Sequence, residues 1–411
     1  MRFIFKTDYD QDIRLFQHSG HWLWYGILGL VLIAAPFLIS NYLQSQLVFV
    51  FIYAIVGVGL MILTGFTGQG SLGHAAFLAI GAYTSAYMQK IGMPFLGAGI
   101  VPLDFSLAVP LVGKFAFTMP LPHLGYFVYA GLLTGLIGAV VGFPALRLHG
   151  IYLLMATMSF GFIVEEILAR WESVTNGNEG LQVKALRAFG ETVPTNSASF
   201  YYVCLAVLAL VIIGALNVMR SATGRAFIAI RDSETAAKSM GIDLAAYKVR
   251  AFALSAGITG FAGALFAHKL SFISPEMFTL LLSIEFIMVI IIGGAFGLHG
   301  AVLGAIFIVM VDPLLTALKD DVPIVVAGLA RTFGAGAPKA RQIQDGLAAA
   351  GSAPGLKGAI YGLLIVLFVL FEPLGLYGRW LKIKLFFQMF PLYKRATFKR
   401  QKTYVKSERN R

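Results

Sequence analysis

Charge is scarce in this chain. Asp, Glu, Lys and Arg make up 13% of its 411 residues, about half of the roughly 25% carried by a soluble globular protein. Cysteine is nearly absent: Cys204 stands alone, so the chain by itself builds neither a disulfide framework nor a thiolate metal cluster. Short catalytic signatures are missing too. The single Gly-Lys pair, Gly113-Lys114, continues into Phe115 rather than Ser or Thr, which excludes ATP hydrolysis by a P-loop. No His-Glu-x-x-His or Gly-x-Ser-x-Gly occurs, and His74, His149, His268 and His299 fall in different segments. Catalysis needs a constellation of groups, and the chain does not read as an enzyme or as a holder of metal.

Apolar sequence is plentiful, at 58% of residues. Runs without a central charge occupy 22–40, 47–65, 71–89, 126–146, 150–169, 199–218, 251–268, 279–297, 298–318 and 358–378. Each is near the roughly 20 residues that cross a hydrocarbon core of about 30 Å. The expected fold class is therefore all-α, a polytopic transmembrane helix bundle of about ten spans. Helices satisfy their own backbone hydrogen bonds in lipid, whereas barrel strands would be about 10 residues long and alternate in polarity. Asp8, Asp10 and Asp12 precede the first run, unlike the basic start of a cleaved signal peptide, so that run reads as a retained span.

The net charge of +12 is explained by its placement. With the N-terminus inside, 21 of the 32 Lys and Arg fall on the inner side, as the positive-inside rule requires, and both termini are expected in the cytoplasm. The expected organisation is an inner segment 1–21, a transmembrane domain 22–378 and a basic inner tail 379–411. The domain carries an inner loop at 219–250 and outer insertions at 90–125 and 319–357. From Lys394 to Arg411 the tail holds eight basic residues and one acid, Glu408. That suits anionic membrane lipid; no motif in the chain reads nucleic acid.

Small residues recur at helical spacing. Gly131, Gly135, Gly138 and Gly142 mark one face of the fourth run, and Ala253, Ala256, Gly260, Gly263 and Ala267 one of the seventh. Such faces let backbones approach closely where lipid removes the hydrophobic drive between helices.

Two polar stretches stand out. Within Arg220–Arg250, Asp232 or Ser233 can cap a short helix through Glu234, with Gly241 placed to end it. Ala236, Ala237 and Met240 are then expected on one shallow face, either offered to a partner groove or belonging to a solvated connector. The other stretch runs from Gly65 to Tyr83, where glycines precede a helix that Ser71 can cap. It brings Gln69, Ser71 and His74 to the membrane boundary, as a pathway lining or as a tight turn between spans. Glu165, Glu166 and Glu285 are the acids nearest span interiors, where an ionisable group faces a cavity or a partner rather than lipid.

Several motifs occur in one order: Gly68-Gln-Gly-Ser-Leu-Gly-His-Ala-Ala-Phe77 with Ile80-Gly-Ala-Tyr83, Phe143-Pro-Ala-Leu-Arg-Leu-His-Gly-Ile-Tyr152, Gly224-Arg-Ala-Phe with Ala229-Ile-Arg-Asp, and Ser283-Ile-Glu-Phe leading to Gly297 and Gly304-Ala305. Together they resemble the branched-chain amino acid permease family of ABC transporters, in its LivM-type branch. The resemblance implies a permease subunit of an importer in a bacterial inner membrane. It also implies a second, LivH-type permease subunit, two ATP-binding subunits that use the ATP, and a periplasmic substrate-binding protein. Glu234–Gly241 would then be the coupling segment that docks on an ATPase, although Thr235 stands where that motif's Glu would fall. Other departures are Asn176-Gly-Asn-Glu-Gly180, Ala301 in place of a common Pro, and the two long insertions. An importer of urea or short amides shares the same motifs. An ion-coupled transporter using Glu165, Glu166 or Glu285 as a relay, and a non-transporting scaffold, are the readings from other classes.

Overall fold

The computed structural model describes residues 19–91, 104–105, 117–118, 121–145, 148, 150–188, 191–193, 198–295, 297–311, 313, 314 and 316. Toward the C-terminus it describes 359, 362, 363, 366, 367, 370–372 and 374–389. Residues 1–18, most of the 90–125 and 319–357 insertions, much of the 358–378 run and the tail beyond Met389 lie outside the described residues.

The helices are α1 (Ser19–Leu38), α2 (Asn41–Leu60), α3 (His74–Ile91), α4 (Leu121–Ala145), α5 (Ile151–Arg170), α6 (Ala198–Arg220), α7 (Ala222–Asp232), α8 (Glu234–Ser239), α9 (Leu244–Leu270), α10 (Leu280–Gly293), α11 (Leu298–Val311) and α12 (Gly375–Met389). A π-helical turn, Met61–Phe66, extends α2. Strands are confined to antiparallel pairs of two or three residues: Asp104–Phe105 with Phe117–Thr118, Leu181–Gln182 with Phe272–Ile273, and Leu186–Ala188 with Glu191–Val193. The chain is a polytopic helix bundle of the all-α class.

Among the described residues, six helices are long and apolar enough to cross a membrane: Asn41–Phe66, Gly125–Pro144, Ile151–Arg170, Ala198–Arg220, Leu244–Leu270 and Pro275–Gly293. Trp24–Leu38 and Leu298–Val311 are shorter apolar helices. The run expected at 71–89 begins at His74 and is not one of the six. Its Thr84 and Ser85 are buried inside the bundle, where protein rather than lipid surrounds them. The run expected at 251–268 starts earlier, at Leu244, because Asp243 caps it by accepting from the amides of Ala245 (3.0 Å) and Ala246 (3.2 Å).

Burial separates centre from periphery. In α2 with its π turn 78% of the apolar window is buried and in α9 61%, against 22% in α5 and 17% in α6. α9 packs on α2, α3 and α4, and α2 packs also on α6 and α10. Outer faces stay apolar, with Leu132, Leu136 and Val140 on α4 and Leu210 and Ile213 on α6 exposed, as lipid contact demands.

The two glycine-rich faces meet each other. A Cβ on Gly135 would lie 3.1 Å from the Ala253 carbonyl oxygen, and one on Gly131 3.2 Å from that of Gly257. Gly257 lies between the expected Ala253 and Gly260. α10 and α11 join through the same device, since a Cβ on Gly304 would overlap the Val289 carbonyl. At one end of the bundle the Tyr25 hydroxyl of α1 hydrogen-bonds His299 Nε2 of α11 at 2.8 Å, and the His299 ring stacks on Tyr377 of α12.

Candidate translocation and coupling site

α2 and α3 run antiparallel along α9 and are joined by an irregular turn: Phe49 and Gln89 lie against Phe266 and His268 of α9, and Gly59 and His74 against Ser255. The π turn Met61–Phe66 holds one residue more per turn than an α-helix, a feature often found at functional positions. A side chain and a late amide take up its displaced carbonyls. Thr67 Oγ1 donates to Ile62 O at 2.8 Å and Gln69 N donates to Leu63 O at 3.0 Å, while Thr64 Oγ1 of the turn itself donates outward to Gln69 O at 3.1 Å. Gly65 is required here, since a Cβ would sit 2.9 Å from the Ala295 carbonyl oxygen and overlap the Met61 side chain.

α3 starts inside the bundle. A helix start leaves up to four amide donors without intrahelical partners, and hydroxyls from three elements answer several of them. Leu72 N donates to Thr157 Oγ1 of α5 (3.0 Å), Gly73 N to Ser71 Oγ (3.3 Å) and Ala75 N to Ser283 Oγ of α10 (3.0 Å). The imidazole of His74, fully buried, lies between Ser71 Oγ (3.1 Å from Nδ1) and Ser255 Oγ of α9 (2.8 Å from Nε2). Hydroxyls donate or accept, so both ring nitrogens are satisfied.

Gln69 and Tyr83, named in the sequence, are also buried. Among the described residues, Gln69 Oε1 and the Tyr83 hydroxyl have no hydrogen-bond partner. The Tyr83 ring stands 6.1 Å from that of Phe278. Beside the head of α3 is a small open recess of about 10 Å³, between Leu72, Ala75, Met158, Phe162, Phe278 and Ser283.

The three acids do not join this group. Glu165 is half-buried and Glu166 exposed in the last turns of α5, where Glu166 pairs with Arg170 one turn on. Glu285 is half-buried in α10 and accepts from the Tyr53 hydroxyl of α2 at 3.0 Å, an inter-helix bond. Among the described residues no cluster of His, Cys, Asp and Glu is arranged to hold a metal ion.

The polar stretch after α6 forms two short helices. Ser221 caps α7 by accepting from Thr223 N (3.2 Å), and Ser233, not Asp232, caps α8 by accepting from Ala236 N (3.2 Å). Gly241 ends the segment at φ +83°, a conformation that costs glycine least. The expected common face is split: Ala236 is exposed and Met240 is 81% exposed, whereas Ala237 is 1% exposed. Ala237 therefore packs within this chain, because α8 folds back toward α9. Glu234 fixes that return through an ion pair with buried Lys248 at 2.8 Å. Arg231, at the end of α7, donates from Nη1 to the Gly65 carbonyl oxygen at 3.3 Å, which ties α7 to the π turn.

Residues 42–369 match the family described as branched-chain amino acid transport system / permease component. The chain belongs to this family. Its members are permease components and not enzymes. This permease chain is 30% identical to the high-affinity branched-chain amino acid transport system permease protein LivM of Salmonella typhimurium (strain LT2), over 74% of this chain and 70% of the relative. It is 30% identical to the LivM protein of Escherichia coli (strain K12), over 72% and 69%. It is also 29% identical to the autoinducer 2 import system permease protein LsrC of Enterobacter sp. (strain 638), over 60% and 77%. No solved structure matches the chain.

Sequence reasoning placed Ser71, His74 and the Ser233 to Gly241 helix but missed their supports. Thr157, Ser255 and Ser283 are hydroxyls within otherwise apolar runs, and that contrast was the available signal. Arg231 lay in plain view within Ala229-Ile-Arg-Asp, yet its contact is with a residue 166 positions away.

Proposed function

We propose that this permease subunit imports branched-chain or related amino acids, forming the path with a second, LivH-type permease subunit. Two ATP-binding partner subunits would supply the driving force, and a periplasmic binding protein would deliver the solute. The chain itself binds no cofactor in this reading. α7 and α8 lie at the cytoplasmic face of a bacterial inner membrane, with both termini on that side. Residues 22–378 act as the transmembrane permease domain, 219–250 as its coupling loop and 379–411 as a lipid-facing tail.

The observation that carries the reading is the irregular turn between α2 and α3, packed inside the bundle. Irregular backbone at membrane depth is tolerated where it is covered by protein or lines a cavity. Here it brings Gln69, Ser71 and His74 into the bundle interior, with the orphaned Gln69 carbonyl and Tyr83 hydroxyl available to a polar solute. Coupling then falls to Glu234, Ala236, Ala237, Met240 and Gly241: Ala236 and Met240 face outward, and Glu234, Ala237 and Gly241 hold the segment's shape.

Reconstitution of the chain with its second permease and ATPase partners in liposomes tests this. ATP-dependent uptake of labelled leucine, isoleucine or valine, competed by the same amino acids and not by urea, is the expected result. Uptake of urea instead would move the cargo assignment. Uptake driven by a proton gradient without ATP would transfer the role to Glu165, Glu166 or Glu285 and overturn the importer reading.

A further inference from the structure

We infer that Arg231 is a positioning residue that carries movement of the α7–α8 segment into the irregular turn Gly65–Gly73 between α2 and α3. The inference rests on the importer reading above and names the joint through which coupling passes.

Four observations converge on this side chain. Its guanidinium donates to Gly65 O from Nη1 at 3.3 Å while Nε and Nη2 hold Asp232 Oδ1 at 3.0 and 2.9 Å. The planar fork is therefore aligned at both ends rather than free to swing. Its stem abuts the next glycine: Gly68 is at φ +74°, and a Cβ there would stand 3.1 Å from Arg231 Cγ. The helix that bears it is anchored, with Phe227 fully buried and edge-on to Tyr247 of α9. The neighbouring helix α8 is pinned by the Glu234–Lys248 ion pair. α7 and α8 are thus held to α9 while Arg231 reaches across to α2.

In this assignment the receiving element alternates between the π turn seen here and an α turn. A π turn carries one residue more than an α turn, and its relaxation to α would rotate the segment beyond it by about 100°. That segment carries Gln69, Ser71 and His74. A pull or push at the Gly65 carbonyl is thereby converted into a reorientation of the polar groups at the head of α3. A two-state element biased from a distance is the physical form that such coupling takes.

The test uses the complete reconstituted assembly in a Cys204→Ser background. Leu72→Cys, at a half-buried position beside the recess, reports on the α2–α3 turn through its rate of reaction with a small polar thiol reagent. With Arg231 present, that rate should differ between nucleotide-free and ATP-bound states. Arg231→Ala should keep assembly and ATP hydrolysis, lose the nucleotide dependence of labelling, and lower uptake per ATP hydrolysed by about tenfold, within the usual range of coupling free energies. Arg231→Lys should restore part of both. If Arg231→Ala fails to assemble, Gly68→Ala, which crowds the Arg231 stem without removing its charge, should act in the same direction. Wild-type uptake per ATP and wild-type labelling changes in the variant that assembles would overturn the assignment. Absence of ATP-dependent uptake with Arg231 intact would instead overturn the importer reading, and the assignment with it.

Discussion

Gly81 and Gly260 lie backbone to backbone where α3 crosses α9, so closely that a Cβ on Gly81 would overlap the Gly260 carbonyl. The obstacle is main chain, which cannot swing aside. Gly81→Leu is therefore expected to cost at least the roughly 1–3 kcal/mol typical of overpacking. Gly161→Leu, with open space around its Cα, should cost far less. Thermal unfolding of both variants in detergent checks the contrast, and equal losses would refute it.

The Glu234–Lys248 pair is asymmetric in exposure: the Lys248 side chain is 5% exposed and that of Glu234 34%. Removing the carboxylate strands a buried ammonium, whereas removing the ammonium leaves a carboxylate that reaches water. Glu234→Ala should thus destabilise by about 1–3 kcal/mol, and Lys248→Met by less. A larger loss in Lys248→Met would show that the pair does not carry a buried-charge penalty.

His74 bridges Ser71 and Ser255, so His74→Ala leaves two buried hydroxyls short of a partner and should cost about 1–3 kcal/mol together with most of the uptake. His74→Gln retains a donor and an acceptor and should recover stability. Cysteines at Gln69, Ser71 and His74, with Cys204 replaced by Ser, should change in thiol reactivity with substrate or nucleotide. Uniform protection in every state would assign the segment to packing alone.

Ala236 and Met240 are exposed on α8 while Ala237 is buried. Ala236→Asp and Met240→Asp are accordingly expected to weaken association with an ATPase partner while leaving stability within about 0.5 kcal/mol of wild type, as surface changes do. Ala237→Glu should unfold the segment before docking is reached. Unchanged co-purification in both surface variants would exclude α8 as the docking element.

Deleting residues 394–411 removes eight basic side chains and one acid. Each basic group near an anionic surface contributes about 1 kcal/mol, so lipid-dependent stability should fall while substrate selectivity holds. Protease accessibility that places the tail outside the cell would reverse the proposed orientation.

Legibility in the sequence followed the range of the physics. Gly131, Gly135 and Gly138 were readable because helical periodicity is local, and their partner face on α9 was readable for the same reason. A cap of α8 at Asp232 or Ser233 and its end at Gly241 were likewise readable within a few residues, and the structure chooses Ser233. The start of α9 was not, because Lys248 and Arg250 interrupt the apolar run and their accommodation depends on Glu234 and on the Tyr247 ring beneath the Arg250 guanidinium. The π turn and the Arg231–Gly65 bond were hidden altogether, since hydropathy does not register a single extra residue in a turn or a contact between distant segments.

The bond between Tyr25 and His299 bears on how the molecule is made. It joins residues 274 apart, and the ring that stacks on His299, Tyr377, comes later still. During synthesis from the N-terminus, α1 can enter the bilayer early but cannot acquire its final polar neighbours until nearly the whole chain has emerged. The Tyr25 end of this helix is then fastened late, after its other end has been held at Leu32 and Ile33 by the Tyr201 and Tyr202 hydroxyls of α6.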